Sequence, residues 1–164
     1  PGDQAPGLVF GVAVTVVAAA TRIAVGDVDV PELAGDPLLS ALFVLALVGL
    51  FVAPAALHLT AALQTLLLMA LVPDRAGVSE TVQVLGYSTA PCLFAGVPVP
   101  ELRLLCASYG AVLLVVGLRE VHSTSFARAT AAGAVPAALV FAYGFGGEAA
   151  WRTVLPSLAA AVPW

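Results

Sequence analysis

Apolar residues fall along this chain in long runs separated by short polar turns. Leu8 to Val25 is a run of 18 residues, enough at 1.5 Å per residue to cross most of a hydrocarbon layer about 30 Å thick. It predicts a first span over 8–25. Arg22 falls in its last turn, where it suits the negative end of the helix dipole and reaches toward head groups. Gly7 and Gly11 near its start have the GxxxG spacing of close helix contacts. Gly26 to Pro37 carries Asp27, Asp29, Glu32 and Asp36 with no basic residue, and reads as an acidic loop outside the lipid. Asp36-Pro37 is a helix start, because the carboxylate accepts from free amides and proline fills a position whose amide has no partner.

From Leu38 to Val72 there is no Asp, Glu, Lys or Arg over 35 residues, a helix of roughly 52 Å. A hairpin at Pro54 would leave turn amides and carbonyls unsatisfied in lipid, and Phe51 to Ala56 offers no polar turn residue. The favoured reading is one long helix over 38–72, kinked at Pro54. Its second half would project past the membrane with a mildly polar stripe of His58, Thr60, Gln64 and Thr65. Pro73 to Gly77 is a turn, and Ser79 with Glu80 supplies a cap and a first-turn acid for a third helix over 80–95. Gly96 to Pro100 turns the chain into a fourth span over 101–118. After the polar connection Arg119 to Ser125 comes a fifth over 126–145, with Pro136 as a kink and Ala129, Gly133 and Ala137 as a small-residue stripe. Residues 148–164, broken by Pro156 and Pro163, are too short for a sixth crossing. Trp151, Arg152 and Trp164 suit an interfacial tail. The fold class is therefore all-α: a polytopic integral membrane bundle of about five spans with a long kinked second helix.

Composition agrees with this reading. Hydrophobic residues make up 61% and charged residues 10% of the 164, and the mean hydropathy is +1.05, where a soluble domain carries charge at about a quarter of its positions. The six basic residues are all arginine against ten acids. Nucleic-acid binding, which needs clustered basic charge, is excluded. The acidic, lysine-free balance also fits a salt-adapted organism. Arg75, Arg119 and Arg128 fall on one side of a five-span chain and the acidic loop on the other, which puts the N-terminus in the cytoplasm by the positive-inside rule. The sequence begins at Pro1 rather than Met, so an upstream segment is expected.

Chemistry is sparse. No HExxH, GxSxG or glycine-rich phosphate loop occurs, so no catalytic residue, cofactor or metal is assigned. His58 and His122 could both approach the cytoplasmic face near Glu120 and Asp74, as a metal site would need, but anchoring or hydrogen bonding explains two such histidines better. Arg119, Glu120 and Arg128 read as an ion-pair cluster at the inner boundary, with anionic lipid or a partner as the other reading. Pro91 frees the carbonyl of Tyr87, and Gly86 admits a neighbouring helix, which makes a packing kink or, functionally, a hinge or lipid-accessible groove. Cys92 and Cys106 read as small buried side chains. A hairpin near Val97 to Val99 would set them at similar depth, and their pairing is left open.

Gly77-Val78-Ser79-Glu80-Thr81-Val82-Gln83-Val84-Leu85-Gly86-Tyr87-Ser88-Thr89-Ala90-Pro91 resembles the third-span signature of the Yip domain family, membrane proteins named for interaction with Ypt/Rab GTPases. Gly117-Leu118-Arg119-Glu120-Val121-His122-Ser123-Thr124-Ser125, followed by Ala127 and Ala129, is similar to the connection before the last span in prokaryotic members. The resemblance implies five transmembrane helices, a cytosolic N-terminus and association with a second copy or a related membrane protein. In eukaryotic members it further implies vesicle traffic and membrane shaping, although their long cytosolic N-terminal region has no counterpart in this sequence. The reading is a non-enzymatic scaffold or membrane-organising protein in the cell membrane, with lipid as its surroundings. A small transporter or channel for an ion or polar solute is the alternative, since intramembrane polar groups default to function.

Overall fold

The computed structural model describes residues 3–33 and 35–161, and every regular element among them is helical. α1 is Ala5–Ala24, α2 Pro37–Leu47, α3 Ala53–Leu71, α4 Val78–Ser88, α5 Pro100–Val121, α6 Phe126–Ala137 and α7 Gly147–Ala161. Val48–Val52 is a π-helical segment joining α2 to α3, and Ala138–Gly144 is a second one extending α6. Ala90–Phe94 is a 3₁₀ segment after α4. The chain is thus an all-helical membrane bundle, as the apolar runs predict.

Among the described residues four helical runs are long and apolar enough to cross a bilayer: Ala5–Ala24, Pro37–Leu71, Pro100–Val121 and Phe126–Gly144. The expected third span is a composite. Its α-helix ends at Ser88 because Pro91 cannot donate to the helical ladder, and the 3₁₀ segment takes over with its larger rise. Together the two pieces reach about 27 Å. That helix begins at Val78 with Gly77 as its N-cap, so Ser79 lies inside its first turn instead of capping it.

The 35-residue second helix is continuous. Asp36 caps it, its carboxylate accepting from the amides of Leu38 and Leu39 at 2.9 and 3.1 Å. Next to Pro54, whose nitrogen has no proton to give, the ladder widens to π bonding and Ala53 N–H reaches Val48 O. The half expected to overhang, α3, is the one packed into the bundle. α3 buries Leu57, Thr60, Ala61, Gln64, Thr65 and Leu68 in the bundle, whereas α2 buries only Ser40 and, among the described helical elements, touches α1 and the first π segment. Gln64 finds its polar partner on another helix, at Ala132 O, whereas Thr65 Oγ1 donates within its own helix to Ala61 O at 2.8 Å. α2 runs alongside the C-terminal turns of α1: Gly49 lies next to Val16, and Ser40 lines a cleft with Ile23.

α4 lies against α1, α3 and α5, and α5 lies against α4, α6 and α7. α7 is a helix packed back on α5 and the second π segment, with Ala150 and Val154 buried. Trp151 is half-exposed on it, Arg152 pairs with Glu148, and Trp164 lies outside the described residues. Cys92 and Cys106 are buried free thiols at one level, with Cys92 Sγ 3.8 Å from Cys106 O.

Candidate functional site

The tightest helix contact is between α1 and α4. Gly7 and Gly11 lie on the buried face of α1, and a Cβ on Gly86 would stand 2.0 Å from Gly7 O. A Cβ on Gly7 would come within 2.5 Å of Gln83 Cα. Only glycine allows these backbones to meet, which is the small-residue logic of membrane helix packing.

One residue on, Tyr87 lies at the outer edge of the same α1–α4 contact. It is exposed and its ring lies 5.4 Å from that of Phe10. Glu80, Gln83, Val84, Tyr87, Leu113 and Gly117 line a groove of about 310 Å³ between α4 and α5. Where Pro91 interrupts the ladder, hydroxyls take over: Ser88 Oγ donates to Leu85 O and Thr89 Oγ1 to Gly86 O, both at 2.7 Å. The Tyr87–Pro91 break and the groove beside it therefore occur together.

Gln64 is fully buried, not on an overhang. Its Nε2 donates to Ala132 O at 2.8 Å, and Ala132 is the residue whose carbonyl would bond the amide of Pro136 if proline had one. The glutamine thus repairs a proline break in another helix, while its Oε1 has no partner among the described residues. The sequence offered a signal for this, a lone Gln in an apolar run and a proline in another, but nothing to pair them.

His122 caps the end of α5 and is 2% exposed. Its Nδ1 accepts from Ala76 N–H at 3.1 Å, so the neutral ring carries its proton on Nε2, 3.3 Å from Thr81 Oγ1. Thr81 Oγ1 in turn donates to Gly77 O. The ring staples the turn before α4 to the end of α5. Burial lowers its pKa from the ordinary 6.5, as does Arg75, while Glu80 pulls it upward. His58 is exposed and binds its own helix, Nδ1 to Pro54 O at 2.9 Å. It lies about 20 Å along α3 from the helix end that faces His122, so the two histidines are not brought together. Among the described residues no three His, Cys, Asp or Glu groups are placed to share a metal ion. Arg119 and Glu120 form an exposed pair at 3.6 Å, without Arg128.

The opposite end of the bundle holds a polar cluster that the sequence did not single out. Asp27 Oδ2 accepts from Arg22 Nε and from Arg103 Nη2, both at 2.9 Å. Arg103 also donates to Ala95 O at 2.9 Å. Partial burial works to raise the Asp27 pKa, but the hydrogen bonds and charges of the two guanidinia hold it below the ordinary 3.8.

Fold and site together define a multi-pass helical membrane protein whose buried polar groups tie its helices to one another. Residues 1–147 match the Yip1 domain, and the chain belongs to that family. No curated protein and no solved structure matches the chain.

Proposed function

We propose that this protein is a non-enzymatic membrane-organising scaffold of the cell membrane, with its N-terminus in the cytoplasm. The observation that carries the reading is the Gln64 amide on the Ala132 carbonyl. A fully buried amide donor is committed to a proline break, and His122 and Thr81 are committed to a turn. A solute path needs polar groups free to replace hydration, whereas Gln64 Nε2 and Thr81 Oγ1 donate to backbone carbonyls and His122 Nδ1 accepts from a backbone amide. The orientation rests on Arg75, Arg119 and Arg128 at the end that holds His122. Arg22 and Arg103 at the other end share Asp27. A second copy or a related membrane protein is the expected partner, because α2 presents Leu38, Leu42 and Phe43 to no helix of its own chain.

Purified protein in sealed liposomes tests the reading. The expected result is a change in vesicle size or curvature with no saturable flux across a panel of ions and polar solutes. Saturable flux that disappears when His58, Gln64 and His122 are replaced together would overturn it in favour of transport.

A further inference from the structure

We propose that the cavity between α1 and the two π segments is a phospholipid site, with an acyl-chain segment inside and the lipid phosphate on Arg22. Thr15, Ala18, Ala19, Val48, Val52 and Phe145 line it, around about 210 Å³. That volume suits part of a chain and not a whole lipid. Thr15 Oγ1 already donates to Gly11 O at 2.8 Å, and most of the wall is hydrocarbon. Val48 and Val52 are the ends of the first π segment and Gly144 is the end of the second. Both wide turns therefore open onto one space, the kind of place where π segments accompany function.

Arg22 stands at the mouth, in the last turn of α1, with its side chain 33% exposed. Its Nε is held by Asp27, and among the described residues its two terminal NH₂ groups have no protein acceptor. A phosphate oxygen pair matches that fork. The surroundings also choose the headgroup. A neighbouring cleft is lined by Ile23, Asp29, Glu32 and Ser40, and neither carboxylate has an ion pair among the described residues. Acids flanking a phosphate site repel a net-negative headgroup and attract an ammonium. The occupant is therefore a zwitterionic phospholipid, its phosphate on Arg22 and its amine toward Asp29 and Glu32. This inference does not rest on the scaffold reading.

Native mass spectrometry of the detergent-purified protein tests it, with dioleoyl phosphatidylethanolamine, dioleoyl phosphatidylglycerol and inorganic phosphate as probes. Phosphatidylethanolamine should be retained best. Arg22→Gln should weaken it about tenfold, the scale of one charged hydrogen bond. Ala19→Phe should weaken it similarly by filling the cavity, with helical circular dichroism as the check on folding. If that variant does not fold, Val52→Phe, at an exposed rim position, carries the same test. Undiminished retention by Arg22→Gln, preference for phosphatidylglycerol, or full competition by inorganic phosphate would each overturn the proposal.

Discussion

The side-chain amide of Gln64 lies 2.8 Å from the carbonyl oxygen of Ala132, the oxygen that Pro136 leaves without a donor one turn further along α6. A proline inside a span normally costs a hydrogen bond in a medium with no water to replace it. Here a residue 68 positions away makes the bond. Gln64→Leu should destabilise the protein in detergent by about 1–3 kcal/mol, the cost of a buried polar group left unpaired. Pro136→Ala gives the helix its own donor, so it should remove most of that penalty in the double variant. A double-mutant cycle in a denaturing-detergent titration measures the coupling, and additive effects would refute the link.

The glycine contacts differ in how much room they leave. A Cβ at Gly86 would meet Gly7 backbone at 2.0 Å, whereas one at Gly133 would meet a Leu118 methyl at 3.2 Å. Gly86→Ala should therefore cost at least the 1–3 kcal/mol typical of overpacking, and Gly133→Ala, whose neighbour is the end of a flexible side chain, well under that. Thermal melting of both variants in one detergent gives the comparison. Equal melting temperatures would contradict the close approach of α1 and α4.

His122 gives a pH dependence of known sign. Its folded pKa is lowered from 6.5, so between the two values the unfolded chain binds more protons and stability falls as pH falls. The geometry gives the same sign, because a protonated Nδ1 would face the Ala76 N–H with nothing to accept. Melting temperature should hold above pH 6.5 and drop below it, and His122→Asn should flatten that step. A native step of opposite sign would mean that the ring is charged in the folded protein.

Orientation is checked by cysteine labelling in intact cells. A cysteine at Asp29 should react from outside, and one at Ala76 only after permeabilisation. Reaction of both from outside would end the orientation argument.

Much of the fold was legible because its signals are local. Asp36-Pro37 marks a helix start by itself, and 35 uncharged residues exclude a polar turn. The Gly86 contact was legible from residue size. What the sequence hid is long-range. Thr60, Gln64 and Thr65 read as an overhang because a polar stripe normally faces water, and only the position of Pro136 explains why Gln64 turns inward. Arg103 reads as an ordinary residue near a span end. Its role depends on the loop carrying Asp27, which the first hairpin brings beside it.

The first π segment also sets the angular phase between the two halves of the second helix. A π turn holds more residues than an α turn, so a helical wheel drawn through α2 cannot be continued into α3. The segment acts as a frame shift that lets Ser40 and Leu57 each face its own neighbours. Removing one residue near Gly49 would let the segment relax into α-helix with little rotation of either half. The same deletion within α5, which has no such slack, would rotate Cys106, Gly110, Leu114 and Leu118 out of the core together.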